Sequence, residues 1–579
     1  MTTVFAVLAF LFFGFKYPYH LHYTEQLSMF LFTGGFFSDV VAVPGGLADY
    51  LARFFVQFFY YAWAGAGIIA VLLVAIQLLS WRASGDRGAV AFALSFLPAI
   101  FMWFFLLDEN AMLDAPVALV LSLAAALLVR RIKGLGLRRT VELISVPLLF
   151  FLLGSLAVVF VLVVIADEWR SSRGGLAAFS LAAVALIVLC PVIAHQIWLY
   201  PLKRFFMGIH YNRYHHLVPL WLWVSAISAA AVAFIGGWKA PSGVDGRSAG
   251  AGEASWKRNF ALVGIFLALA AGSLPAMGKF ADSSKEETMK YMFMCRWRMW
   301  NRIMMTADVK SPSNPVTVSI HNLALAMSGR MQDNMFEYFQ NGPQGLLPEF
   351  VRDHTSPIPT AEIYWQLGMV NTAQRFIFEA QEAIPDFQKS ARCYQRLAET
   401  NIVNGDYEVA GKYIEALKHT LFYRGWAKSV APLLGDDDAV AAHPEYGRIR
   451  RLRLKDHDFM YSDKEMDSML GLLFVENHSN TMAYEYLMSW CLLNKNLDRF
   501  AECFQLVQFD RVPKAYQEAL LLYWTQSHGS FEGLPPVFSQ SNIQRMNSFI
   551  SAQNSGKDRT YLEQNFGDTY WYYYLYRYQ

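Results

Sequence analysis

The chain is poor in charge and in reactive patterns. Charged residues fill 17% of its 579 positions, hydrophobic residues fill 55%, and the formal net charge is +2. A chain this long and this apolar is not purely soluble. Near-neutral charge gives no broad attraction to nucleic acid, and no nucleic-acid motif occurs, so nucleic acid is not an expected partner. Cysteine is scarce, at Cys190, Cys295, Cys393, Cys491 and Cys503, with no CxxC pair. This argues against a disulfide framework or a zinc site, and the expected role is as small buried core residues. No complete catalytic motif, metal site or nucleotide loop is present. No cofactor is therefore expected, and the sequence leaves open whether the chain is an enzyme. The first apolar run, 4–15, lacks a basic segment before it and is followed by Lys16, Tyr17 and Pro18. It reads as a retained span rather than a cleaved signal.

What is present divides the chain near Met277. Before that point long apolar runs alternate with short charged loops, and after it amphipathic helices follow one another. A span needs roughly 20 apolar residues to cross about 30 Å of hydrocarbon. Candidates are 1–15, 57–81, 89–107, 111–129, 141–166, 176–200, 217–238 and 260–277, so 1–277 is read as a transmembrane bundle of about eight helices. The fifth is long enough to tilt or to project from the bilayer. Arg130, Arg131, Lys133, Arg138 and Arg139 make a loop without acids, expected to be cytoplasmic. By parity Arg82, Arg87, Lys203, Arg204 and Arg213 share that side, while Asp108, Glu109 and the loop 16–56 lie opposite. Eight spans put the tail in the cytoplasm, and one more or fewer puts it outside. The Gly/Ser-rich stretch 240–255 is an external loop, with Lys257 and Arg258 before the last run. Asp114, Glu142 and His195 sit near span ends, and no acid or base lies deep in a run. This counts against an ion-coupled transporter.

The loop 16–56 is long, aromatic and apolar. In 47–59, Leu47, Leu51, Phe54, Phe55 and Phe58 share one helical face and Asp49, Arg53 and Gln57 another, which predicts a helix along the membrane surface. Gly34–Gly35 and Pro44–Gly45–Gly46 are breaks, and 27–32 is a candidate re-entrant piece. A first external loop with an interfacial helix and an acidic residue resembles membrane glycosyltransferases of the GT-C type. The resemblance implies a lipid-linked sugar donor and an acidic base or metal ligand, with Glu25 as the nearest candidate and His20, His22 and Asp39 nearby. The loop has no acidic pair of the Asp-x-Asp or Glu-x-Asp kind. His20, His22 and Glu25 would bind a metal only if the two histidines shared a strand face; an interfacial aromatic and histidine girdle is the plainer reading, and no metal site is assigned. Parity places His210, His215 and His216 across the membrane from that loop.

The tail, 278–579, is predicted to be soluble and all-α. Ala361, Tyr364, Gly368, Ala373, Ile377, Ala380 and Pro385, and then Tyr394, Leu397, Ala398, Gly405, Tyr407, Ala410, Ile414 and Leu417, fall at tetratricopeptide (TPR) offsets. Looser copies hold Tyr484, Leu487, Met488, Cys491, Leu497, Phe500 and Phe504, and the fragment 322–338. The tail therefore resembles a TPR-like α-solenoid, which implies a concave surface for a protein or peptide partner. Asp436, Asp437 and Asp438 read as a solvated loop or helix start. Arg448, Arg450, Arg451, Arg453 and Lys455 read as a solvated helix face. The aromatic end 570–578 reads as a packed terminal cap or a membrane contact.

The whole layout is similar to an uncharacterised bacterial multi-pass membrane family with a TPR-like tail. Tyr23-Thr24-Glu25-Gln26, Pro44-Gly45-Gly46, Asn322-Leu323-Ala324-Leu325-Ala326 and Thr569-Tyr570-Trp571 carry that resemblance. Three functions follow as expectations. The first is a membrane-anchored protein that recruits a partner at the envelope. The second is a GT-C-like transferase acting on a lipid-linked substrate. The third, a transporter, has the least support.

Overall fold

The computed structural model describes residues 1–85, 89–170, 175–214, 217, 219–235, 264, 272, 278, 280–454, 465–529 and 531–577. Among these the regular elements are helical, apart from one isolated bridge between Ala111 and Asn212. The eighth apolar run apart from Gly264 and Gly272, the stretch 240–255, Arg87, His215, His216, Lys257, Arg258 and Lys455 fall outside the described residues. Two compact units form. The first holds Met1–Glu286 with two later loops, Pro385–Ala391 and His419–Arg424. The second holds Glu287–Ile384, Arg392–Lys418 and Gly425–Gln579.

Unit 1 is a bundle with two distinct poles. Its helices are α1 (Thr2–Leu11), α2 (Pro18–Gln26), α3 (Gly34–Val41), α4 (Gly46–Val56), α5 (Ala62–Ser84), α6 (Ala89–Leu94), α7 (Phe96–Phe105) and α8 (Asp114–Val129). They continue as α9 (Leu135–Leu153), α10 (Ala157–Arg170), α11 (Leu176–Ile197), α12 (Leu202–Met207) and α13 (Leu220–Ile235). At one pole Arg130, just past α8, donates to the carbonyls of Arg82 and Ala83 at the end of α5 (3.0 and 2.9 Å) and pairs with Asp167 of α10. Arg139 of α9 pairs with Glu168 of α10 at 2.7 Å. We call this the basic pole. At the other, the loop pole, Met112 N–H donates to the Tyr211 carbonyl (3.1 Å) and Arg213 N–H to that of Asn110 (3.0 Å).

Among the described residues, three stretches have the length and hydropathy to cross a membrane: Ala62–Ser84, Leu135–Arg170 and Leu176–Ile197. The second does not run straight. A continuous helix would hold residues 138 and 167 about 43 Å apart, yet Arg138 Nη2 lies 3.7 Å from Asp167 Oδ2. The stretch is a hairpin that turns at Gly154–Leu156, where Gly154 takes φ +73°. The expected fifth span is therefore two antiparallel helices, and this reverses the direction of everything after it. Lys203, Arg204 and Arg213 were expected on the side of 130–139, but Arg213 lies at the loop pole with Glu109 and Asn110. From there α13 runs to the basic pole: Trp221 packs on Phe104 (5.1 Å), and Phe234 on Trp169 (6.2 Å). Phe280 is back beside Trp221 (5.1 Å), and Lys285 pairs with Glu109 at 2.6 Å. The chain thus leaves unit 1 from the loop pole.

The first loop also differs from expectation. The segment 27–32, the candidate re-entrant piece, is irregular. Helix α4 forms as predicted, but its polar face turns inward: Asp49, Ala48, Ala52 and Val56 are buried, while Leu51, Phe54 and Phe55 are half-buried. Pro44-Gly45-Gly46 has a steric cause. Gly45 sits at φ +87°, and a Cβ on Gly46 would stand 2.2 Å from the Val40 carbonyl oxygen.

Unit 2 is built from helical hairpins that reuse one turn. At Arg298, Gly329, Gly368, Gly405, Lys495 and Gly556 the chain takes a positive φ between 53° and 88°. In each, that residue's N–H bonds the carbonyl three residues back and the next N–H bonds the one five before itself, at 2.8–3.2 Å. This geometry closes a helix by pairing its last free carbonyls. Gly368 has a second reason to lack a side chain, since a Cβ there would lie 2.8 Å from that of Leu452. Helices Pro357–Leu367 and Ala391–Asn404 start 34 residues apart, but the turns recur at uneven intervals. Tyr570, Trp571, Tyr572 and Tyr573 are buried, held by Glu518 and by the carbonyls of Leu492 and Leu493.

Candidate functional site

A buried polar cluster of unit 1 lies where the first loop meets the hairpin turn. On α4, Asp49 and Arg53 stand one turn apart and join through two hydrogen bonds, 2.8 and 2.6 Å. Only 1% of Asp49 is exposed. Burial alone would raise its pKa, but the ion pair and hydrogen bonds with Arg53 outweigh that and hold the carboxyl below the usual carboxylate range. His210 Nδ1 is 3.9 Å from Asp49 Oδ2, and neither ring nitrogen of this buried histidine has a hydrogen-bond partner. Burial keeps the imidazole neutral by lowering its pKa. Asp114, at the start of α8, uses Oδ1 to accept from Ala115 N–H (3.0 Å) and leaves Oδ2 buried without a partner. Next to them Arg204 pairs with Asp386 and lies over the Tyr200 ring at 4.9 Å. The two arginines are each neutralised by an aspartate. Asp114 and His210 supply the uncommitted acceptor and donor capacity.

This arrangement overturns the expected separation of His210 from the first loop, because the hairpin brings both to the loop pole. Asp49 was assigned to the wet face of α4, and Asp114 was treated only as a span-end residue. The signal available was the i, i+4 Asp49/Arg53 pair, which marks a buried ion pair as readily as a solvated one.

The residues singled out for catalysis occupy different settings. Glu25 on α2 is buried and accepts from the Tyr423 hydroxyl at 3.0 Å. His22 on the same helix is half-buried, whereas Asp39 on α3 is exposed. Beside Glu25, Ser390 donates to the Gln26 carbonyl, and Phe32 N–H donates to that of His419 (2.9 Å). Among the described residues no group of three or more His, Cys, Asp or Glu is arranged to hold a metal ion.

In unit 2 the charged residues hold the hairpins together. Glu362 pairs with Arg396, whose guanidinium lies 4.5 Å over Trp365, and Glu445 pairs with Arg298 and accepts from Trp365 Nε1 at 2.8 Å. Burial raises Glu445, but Arg298 and its neighbours bring it down to about 2. Arg450 and Arg453 cap the carbonyl end of helix 391–404, and Arg450 pairs with Asp437 at 2.8 Å. Arg450 and Arg453 are therefore structural caps and Arg448 bonds Gln366, while Arg451 is exposed as expected of a solvated face; Asp436 caps its own helix through Ala439 N–H.

Glu286 gives this pole a pH dependence. Its carboxylate accepts from Tyr19 and His20 N–H (2.8 and 3.1 Å), in the first turn of α2. Burial nonetheless pushes its pKa up from 4.5 to about 7. The folded value is raised, so its contribution is full below about 4.5 and is lost as pH rises through about 7. We expect the thermal stability of the full chain to fall between pH 5 and pH 8 by at most about 3 kcal/mol from this group. Glu286→Gln should flatten that profile; an unchanged slope would remove Glu286 as its source.

No curated protein and no solved structure matches the chain. A family model covers residues 1–577, and the chain accordingly belongs to DUF6057, a family of unknown function.

Proposed function

We propose that this is a multi-pass membrane protein that holds a TPR-like helical-repeat unit outside the cytoplasm, where its hairpins recruit a protein or peptide partner. Support for the membrane comes from α11. It packs through the stripe Phe179, Ala183, Ile187, Pro191 and Ala194, while Leu181, Val188, Leu189 and Ile193 are about half exposed or more. Such a helix is solvated by lipid and not by water. The side is carried by the return of the chain at Gly154–Leu156. Arg131 and Lys133 are exposed at the basic pole, which the positive-inside rule assigns to the cytoplasm. The chain leaves the bundle from the opposite pole, and the loops 385–391 and 419–424 bond there as well. The result does not depend on whether the α9–α10 hairpin crosses fully or re-enters, since either gives an even number of crossings.

The recurrent closing turn supports the repeat reading, because hairpins that each bury one face against a neighbour form a stack with a continuous lateral surface. A second reading, a GT-C-like transferase using a lipid-linked sugar, is favoured by Asp49 rather than Glu25. Asp49 is the first-loop carboxylate that the fold buries beside Asp114 and His210.

Alkaline phosphatase and green fluorescent protein, each fused after Gln579 and within 131–136, test the side. We expect phosphatase activity from the C-terminal fusion and fluorescence from the 131–136 fusion. A fluorescent C-terminal fusion would sink the proposal. If affinity capture of the full chain enriches no envelope protein over a control membrane bait, the recruiting half fails. For the second reading, Asp114→Asn leaves the Asp49–Arg53 pair in place and should alter lipid-linked glycans; an unchanged profile removes the transferase.

A further inference from the structure

The basic pole carries more positive charge than its acids neutralise. Asp167 takes Arg130, Arg138 and Arg170, Glu168 takes Arg139, and Glu142 takes Arg138 as well. Beside these pairs stand three cations with no acid. Arg131 and Lys133 follow Arg130 in sequence, and Arg82 is the residue whose carbonyl Arg130 binds. All three are exposed, and among the described residues none forms an ion pair or a side-chain hydrogen bond. The segment 131–137 is open as well as basic. A Cβ on Gly136 would meet nothing within 4 Å, and Leu135 and Leu137 are exposed. Leu137 heads a stripe on α9, where Ile144 and Leu148 follow at helical spacing and are 63% and 54% exposed. Trp169, next to Glu168 at the end of α10, is 48% exposed. Unpaired cations therefore cap a bare apolar helix face, with an aromatic ring at the same pole. That is the layering of a phospholipid, a charged phosphate at the surface and an acyl chain below it. A soluble acidic partner would meet the cations and leave the stripe on α9 uncovered.

We propose that the segment 131–137, with Arg82, binds an anionic phospholipid, its phosphate held by Arg131 and Lys133 and an acyl chain laid along Leu137, Ile144 and Leu148. Arg82 adds to the positive field. The arginines that meet Asp167 and Glu168 are committed to holding helix ends, so they contribute field rather than contacts. Each unpaired cation near an anionic lipid surface is worth about fivefold in affinity. The lipid sits on the link between α8 and α9. The inference rests on the proposed membrane placement and, through the positive-inside assignment, puts the lipid in the cytoplasmic leaflet.

Alkaline carbonate extraction of membranes holding the full chain tests the underlying placement, and the chain should stay in the pellet. Detergent-solubilised full-length protein is then offered an equimolar mixture of phosphatidylglycerol and phosphatidylcholine with identical acyl chains, and the retained lipid is read by native mass spectrometry. Wild type should retain phosphatidylglycerol in several-fold excess. The double variant Arg131→Gln, Lys133→Gln should lose most of that excess and still fold, because neither side chain holds an internal contact. Lys16→Gln, at an exposed cation of the first loop, should keep it. Equal retention of the two lipids by wild type, an excess that survives the double substitution, or one lost equally in Lys16→Gln would each overturn the proposal. A chain released by carbonate fails the membrane placement and takes this inference with it. A chain that stays in the membrane and shows no excess overturns this inference alone.

Discussion

Buried backbone groups need partners, and at Gly154–Leu156 the helix is broken inside the bundle. The Tyr211 hydroxyl donates to the Leu153 carbonyl and accepts from Leu156 N–H (3.2 Å), while Ser122 donates to the Leu156 carbonyl (3.0 Å). Gly45 N–H bonds the Phe151 carbonyl at 2.8 Å, and a Cβ on Gly154 would stand 3.0 Å from the Tyr211 hydroxyl oxygen and 3.5 Å from the Gly45 Cα. One turn is thus completed by two loops distant in sequence, 208–213 and the first loop. The same convergence brings His210 beside Asp49, so the polar cluster is a by-product of how the break is satisfied. The turn also fixes which pole each later element reaches.

The far ends of the hairpin are held by charge. Asp167 takes Arg130, Arg170 and Arg138, and Glu168 takes Arg139, so a cluster of arginines is tied to two consecutive acids. Partly buried pairs of this kind lose much when one partner is removed, because a desolvated charge is left behind. Unit 2 follows the same logic with Glu362 and Glu445 against Arg298 and Arg396. In both units the scarce charges mostly join helices to one another.

Much of the helical architecture was legible in the sequence. Apolar runs marked most helices of unit 1, and Gly368 and Gly405 marked two of the recurrent turns. The glycines at 45 and 46 marked a break whose steric cause only the packed structure reveals. The hairpin was not legible. Residues 143–166 read as one apolar run, and Gly154-Ser155 differs little from the small residues common in packed helices. The charges that betray it, Arg138 and Asp167, are 29 positions apart and acquire meaning only when paired in space. Parity arguments are brittle for this reason: one misread break moved His210, Arg204 and Arg213 to the wrong pole. The turns at Arg298 and Lys495 were hidden as well, because neither residue advertises a left-handed conformation. Asp49 was misassigned because a polar helix face is taken to meet water, whereas here it meets another polar surface inside the bundle.

Pulsed electron paramagnetic resonance on nitroxides at Leu137 and Trp169, both well exposed, tests the folded-back hairpin most directly. The hairpin places the labels on adjacent helix ends, at a separation on the order of 20 Å or less. A straight helix through 137–169 would hold them about 48 Å apart. A long distance of that kind would contradict the hairpin and the grouping of Asp49 with His210 together.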